Sequence, residues 1–377
     1  MGYRPLLIKP AYESLIFTQQ LEKDQFEYWM AFSKESSLFP SDLMSELLPQ
    51  IAREDPAIKY AAFAVGAATL GSPTRRQRVS GTGPYMADAL RHYGRSINLV
   101  RSSEPSKKSV PRALLACLLF VTFEAVQGNH KAALTHLNFG CKILDQLMRQ
   151  GVSGDCPPRL IDEVISSFQR FTLLSWTVND YHPPETEAHV PWCCRGKRSR
   201  YAVDEMPDLF NDLRQARRWW DVVQHYVIYQ TQMHSALRFE DIQTPASTGR
   251  RSPDEKKKYS GILDRWRARF APLKTQVLAE EASNEQAYLQ LISLRLSCLS
   301  LDISVRSSQY TDGDVLESST EDFRQLVSMS RIILEGQLPE HASDEVFTMD
   351  SSPSWSLLSV SIYCRDDSTR KEAHQLL

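Results

Sequence analysis

The chain has 377 residues, of which 42% are hydrophobic and 24% charged, and its net charge is −2. That composition excludes wholesale disorder, and the near-zero balance excludes a global basic field able to hold nucleic acid or an anionic membrane. The apolar run at the N-terminus is too short for a signal peptide, and the longest strongly apolar stretch, Ala113 to Val121, falls short of the ~20 residues of a membrane span.

Helical periodicity dominates in chain order. Asp55-Pro56 predicts a helix start, because Asp55 can cap it and Pro56 suits a first turn that needs no N–H. The body from Ile58 to Leu70 is rich in alanine, which allows close helix–helix approach and predicts a central helix, and Gly71 can end it in a left-handed cap. Residues 71–84 read as a loop, since Gly, Pro and Ser interrupt any pattern. A helix follows from Tyr85 to about Val100, then a polar linker over 102–111.

Segments 112–127 and 130–148 predict a helical hairpin broken at Gly128-Asn129. Its first helix is apolar nearly all round and is expected to be buried. Its second places Leu134, Leu137, Cys141, Leu144 and Met148 on one stripe. Similar stripes run through Leu209, Leu213, Ala216, Trp220, Val223 and Val227, and through Ala287, Leu291, Leu294, Cys298, Leu301 and Val305. A further helix is expected to start at Ser319-Thr-Glu-Asp322, a variant of the capping box, and to carry Phe323, Val327, Ser330 and Leu334.

No segment alternates with period two over any length, so the expected fold class is all-α, a large array of packed antiparallel helices and helical hairpins. Residues 1–24 are expected to be a partly disordered extension and 25–377 one helical domain with a mobile loop over 241–259, which is polar and rich in turn formers. Ala89-Leu-Arg-His-Tyr and Ala133-Leu-Thr-His-Leu echo each other early in two predicted helices. That spacing suits a helical-pair repeat and supports one reading of the chain, a helical-repeat protein-interaction scaffold.

Several segments together resemble the fungal-specific transcription factor domain, the regulatory region of fungal six-cysteine zinc-cluster transcription factors. They are Leu47-Leu-Pro-Gln with the Pro-led helix of small residues after it, Ala89-Leu-Arg-His-Tyr-Gly-Arg-Ser-Ile, the hairpin from Leu118 to Leu144, and Tyr363-Cys-Arg-Asp-Asp with Arg370, Ala373 and Leu376-Leu377. The resemblance implies a nuclear regulator of metabolic or secondary-metabolite genes, with protein partners, among them a DNA-binding partner or a second copy, and a small-molecule effector. It implies neither enzyme activity nor a cofactor. The seven cysteines, Cys117, Cys141, Cys156, Cys193, Cys194, Cys298 and Cys364, include no two that are three apart, so the zinc cluster of the family is absent from this sequence. Their odd number fits free thiols of a reducing compartment, nucleus or cytosol. Gly2-Tyr3-Arg4 resembles the residues that follow the cluster's last cysteine, so the chain is expected to start about where that module would end.

Four basic residues in six, Arg195, Lys197, Arg198 and Arg200, form a candidate patch for nuclear import or an acidic partner, and Arg75, Arg76 and Arg78 form a second; a solvated loop is the competing reading of both. His182, His189, Cys193 and Cys194 have zinc-ligand chemistry, but adjacent cysteines do not readily face one metal, so no metal site is expected. Gly81-Thr-Gly83 precedes a helix as a phosphate-cradling turn would, but Pro84 removes a donor and no strand precedes it, so it reads as a plain turn. Trp219-Trp220, with Tyr226 and Tyr229, could line an effector pocket; core packing is expected for Trp220 and partial exposure for Trp219. No nucleophile elbow, His-Glu-x-x-His or catalytic cysteine signature occurs.

Overall fold

The structure is a computed structural model that describes residues 17–35, 38–39, 41–72, 74–103, 109–150, 157–178, 203–231, 253–280, 284–308, 310–337 and 353–377. Among them the chain forms fifteen α-helices and no strand, so the fold is all-α as the periodicity predicts. The chain divides into two compact units, with the division between Ile165 and Ser166 inside α8 (Pro158–Val178).

The first unit holds α1 (Gln20–Glu35), a wide π turn Leu43–Leu47 leading into α2 (Leu48–Glu54), α3 (Pro56–Thr69), α4 (Arg75–Ser80), α5 (Met86–Arg101), α6 (Ser109–Val126), α7 (His130–Gln150) and the start of α8. Its centre is α3, which packs against α1, α2, α5 and α6. The predicted caps are in place: the Asp55 carboxylate accepts from the backbone N–H groups of Ala57 and Ile58, Pro56 opens the helix, and Gly71 leaves it with φ of 71°. The small residues act as expected. A Cβ on Gly66 would lie 2.0 Å from the carbonyl oxygen of Gln25 on α1, so the two helices cross almost backbone to backbone. Every residue from Ala57 to Thr69 except Lys59 is buried.

The α6–α7 hairpin turns at Gly128, whose φ of 73° favours glycine. Helix α6 is buried from Leu114 to Glu124. On α7, Leu137 and Leu144 are buried as predicted, whereas Leu134 and Cys141 are only half-buried, because they sit at the margin of the stripe. The side chain of Met148 lies outside the described residues.

The predicted loop over 71–84 contains α4. Thr74 and Gln77 form a reciprocal capping box, and Gly81, with φ of 66°, stops the helix after six residues. In the Leu-Pro-Gln segment, Pro49 sits in the first turn of α2, where its missing N–H is tolerated.

The second unit holds Leu38, Phe39, the rest of α8, α9 (Leu213–Thr231), α10 (Pro253–Ala279), α11 (Glu285–Arg306), α12 (Gly313–Ser318), α13 (Thr320–Gln337), α14 (Pro353–Tyr363) and α15 (Asp367–Leu376). Helix α11 packs against α9, α10, α13 and α14 and is buried nearly all round from Leu289 to Val305. By length and composition α11 could cross a membrane, but 72% of its apolar window is buried within the protein, which is the position of a core helix. Trp220, Val223 and Val227 of the predicted α9 stripe are buried, but Leu209 precedes the helix and is 61% exposed. The predicted cap at Ser319 fails for a physical reason: its hydroxyl donates back to the Val315 carbonyl of α12, and Asp322 takes a bond from Arg306 instead. Of segment 241–259, residues 253–259 are the first turns of α10, opened by Pro253; residues 241–252 lie outside the described residues, as do 1–16.

Candidate functional site

Arg195, Lys197, Arg198 and Arg200 lie outside the described residues, and so do His182, His189, Cys193 and Cys194. Of the second basic run, Arg76 is exposed on α4, but Arg78 is buried and donates through Nη1 to the Ser72 carbonyl at 3.0 Å, which removes it from any solvent-facing patch. The side chain of Arg75 lies outside the described residues. Gly81 and Gly83 serve the turn itself: Gly81 is the left-handed cap of α4, and a Cβ on Gly83 would meet the Ser72 hydroxyl at 2.1 Å. Trp220 is fully buried against Trp266 at 4.9 Å and Trp219 is half-buried, as expected. No group of three or more His, Cys, Asp or Glu able to hold a metal occurs among the described residues.

The structure brings together a polar cluster that no motif announces. Tyr93 on α5 donates from its hydroxyl to Glu124 Oε1 on α6 at 2.6 Å and meets His136 Nε2 on α7 at 2.8 Å. Asn129, in the hairpin turn, donates to Glu124 Oε2 at 2.8 Å, and its backbone N–H donates to the Glu124 carbonyl at 2.8 Å. With Glu124 ionised, the Tyr93 hydrogen is committed to the carboxylate, so His136 must carry its proton on Nε2 and donate to the Tyr93 oxygen. Three helices and a turn thus converge on one buried carboxylate through charge-assisted bonds. The Tyr93 ring stacks on Phe123 at 4.4 Å and meets Phe120 edge-on at 5.2 Å, which fixes the hydroxyl in place. Burial and the Glu124 bond push the Tyr93 phenol well above its usual range, so it serves as donor and never as base. Nearby Cys117 is buried and its thiol is pushed up to about 12, so it stays protonated and unreactive.

A second histidine is placed similarly. His92 on α5 stacks on Tyr60 at 5.7 Å and meets Phe63 edge-on at 5.4 Å. Burial lowers its pKa, with Glu22 and Asp88 opposing and Arg91 and Arg95 assisting. Burial also lowers that of His136, against the pull of Glu124. The echo between residues 89 and 133 therefore marks two helices that each bury an alanine and set a histidine among aromatic rings.

Opposite its buried side, α5 presents a basic face. Leu90, Arg91, Gly94, Arg95, Asn98 and Arg101 line a shallow concavity of about 810 Å³. Arg91 is paired with Asp88 at 2.6 Å, and the Arg95 guanidinium lies 4.0 Å above the Tyr60 ring.

Both features fall within one stretch of the chain, residues 29–185. Residues 29–185 match the family model of the fungal specific transcription factor domain. The matched stretch runs from Trp29 in α1 past the end of α8, and it contains three of the four stretches that resemble the family in sequence. The fourth, Tyr363-Cys-Arg-Asp-Asp, lies outside the match; there Asp366 caps α15 by accepting from the Thr369 N–H at 3.0 Å. Neither a curated protein nor a solved structure matches the chain.

Within this segment the cluster around Glu124 is a three-helix pin, and half-buried His136 in it, together with buried His92 beside Tyr60 and Phe63, makes the unit acid-sensitive. The folded pKa of each lies below the ordinary histidine value of 6.5. The unfolded chain therefore takes up protons first as pH falls, and stability present above 6.5 drains away as pH drops through the folded values. The melting temperature is expected to fall between about pH 7 and about pH 5.5, above the range where ordinary carboxylates titrate. His136→Gln is expected to flatten that slope, as thermal scans at matched ionic strength would show. An equal slope in the variant would remove His136 from the account.

Proposed function

We propose that the chain regulates transcription in the nucleus, as the regulatory part of a regulator of the fungal zinc-cluster type. The match of residues 29–185 to the fungal specific transcription factor domain carries this reading. The all-helical packing supports it, since helical arrays offer grooves for a small effector and faces for protein partners. Control of metabolic or secondary-metabolite genes belongs to the same reading. The chain acts through protein contacts and not through catalysis, and contact with base edges comes from a DNA-binding partner or another module. A net charge of −2 and seven cysteines with no cluster spacing support that division of labour, because affinity for a duplex needs Lys and Arg set against phosphates. The basic run Arg195, Lys197, Arg198 and Arg200 is the proposed import or acidic-partner patch.

The test has two arms. Tethering the chain to an unrelated DNA-binding domain upstream of a reporter is expected to change reporter output. In a gel shift at physiological salt, the chain alone is expected to give no discrete complex with promoter fragments, with or without zinc. An unchanged reporter would defeat the regulatory reading. A complex that survives excess nonspecific competitor would defeat the view that base contact lies elsewhere.

A further inference from the structure

The outward face of α5 has features that the fold alone does not require. Gly94 stands in the middle of a sixteen-residue helix, where glycine is less favourable than alanine. Gly66, Gly71 and Gly128 of this unit, by contrast, answer to a close approach or a positive φ. At Gly94 the φ is helical, and no described atom lies within 4 Å of an added Cβ. One turn away Leu90 is 56% exposed. Around this apolar centre stand Arg91, Arg95 and Arg101, all exposed. Arg91 is held by Asp88 and Arg95 by the Tyr60 ring, so two of the three cations are already fixed in position.

We propose that this face docks an acidic amphipathic helix of a partner protein. The partner's backbone crosses at Gly94, where the missing side chain lets two helices approach closely. An apolar side chain of the partner rests against Leu90, and its carboxylates, spaced three or four residues apart, meet Arg91 and Arg101. A second copy of this chain is a poor occupant, because a two-fold contact through one patch would set arginines against arginines. A nucleic acid is a poor occupant as well, since the centre of the face is apolar and Asp88 lies at its edge. The inference names a partner class for the regulatory reading. It is read by binding to the purified chain, so its failure is separable from that of the reporter test.

The experiment is a fluorescence-anisotropy titration of the full chain against a panel of labelled helical peptides with leucines on one face and glutamates beside them. A matched panel has lysine in place of each glutamate. The acidic peptides are expected to bind, more weakly as salt rises, and the lysine peptides are not. Gly94→Leu fills the crossing point without a clash and is expected to weaken binding ~10-fold or more, the equivalent of about 1.4 kcal/mol. The pair Arg91→Glu with Arg101→Glu is expected to do the same without touching the core, and it decides the matter if Gly94→Leu lowers the melting temperature. The proposal is overturned if no acidic peptide binds, if both panels bind equally, or if neither variant weakens binding. It is also overturned if a labelled 20-base-pair duplex, and no peptide, shows the dependence on these residues.

Discussion

Asp221→Ala is expected to destabilise the second unit by ~3–5 kcal/mol, the usual cost of stranding buried charge. Asp221 on α9 is fully buried and shared by two guanidiniums. Arg217, one turn earlier on the same helix, approaches Oδ1 at 2.9 Å, and Arg170 on α8 donates to Oδ2 at 3.4 Å. Both arginines are buried, and each has a further anchor at Phe39: Arg170 donates to its carbonyl, and Arg217 lies 5.1 Å over its ring. Assembling such a group from water is costly, so its presence is no stability gain by itself. Removing the carboxylate is a different matter, because two cations then stay in a low-dielectric interior with less compensation. Asp221→Asn keeps the shape and an acceptor but loses the charge, and is expected to cost nearly as much as alanine. Denaturant unfolding should be followed by tryptophan fluorescence, because Trp219, Trp220 and Trp266 all report on this unit. A change below ~1 kcal/mol in both variants would mean that the arginines find other compensation.

How much of this fold the sequence reveals varies with the kind of interaction. Helix α3 is legible in full, because its start, small-residue body and stop are all encoded within seventeen consecutive positions, Asp55 to Gly71. Helix α4 is encoded as locally, by Thr74, Gln77 and Gly81, but six residues are too few to show periodicity among turn formers. Helix α10 hides its start in the polar run Pro253-Asp-Glu-Lys. Its buried face, through Tyr259, Ile262, Trp266, Phe270, Leu273 and Val277, repeats at three and four and was open to detection. Pro272 points the other way, to solvent, where an interior proline does least harm to packing. In α8 the apolar pattern of Ile161, Val164, Ile165 and Phe168 is broken by Ser166, Ser167, Gln169 and Arg170, all buried as well. Hydropathy cannot show that a polar residue is inside; only its partner can.

The candidate site was illegible for that reason. Tyr93 and Glu124 are 31 positions apart, and Tyr93 and His136 are 43 apart. No spacing rule joins them, although each lies in a stretch that resembles the fungal family. The exposed face of α5 was partly readable, since Leu90, Gly94 and Arg101 share a helical stripe once the helix is granted. What could not be read is that this stripe faces out, because α5 buries Ala89, His92 and Ser96 instead. The Ser96 hydroxyl donates 2.7 Å to the Ala57 carbonyl of α3, and that bond helps set the rotation of α5.

The hairpin that carries Glu124 and His136 gives the second large effect. Leu137→Ala is expected to cost ~2–5 kcal/mol, the range for deleting most of a buried leucine and leaving part of the cavity open. Leu137 is 4% exposed and belongs to a packed pair of helices whose other members include Leu118, Phe120, Phe123 and Leu144, all buried. Close-packed surroundings collapse only partly into the space, so transfer and cavity terms add. Two neighbours on α7 make the comparison sharp. Leu134 is half-buried and Leu134→Ala is expected to cost distinctly less. Phe139 is 57% exposed, and Phe139→Ala is expected to stay within about ±0.5 kcal/mol. The order of the three separates a packed stripe at three–four spacing from a uniformly apolar helix, which would give three similar losses. The hairpin positions His136 against Tyr93, so Leu137→Ala should also speed hydrogen exchange of amides in α6 and α7 relative to those in α11. A melting temperature unchanged by Leu137→Ala, or a larger loss at Phe139, would refute the placement of α7 against α6 and with it the pin that holds Glu124.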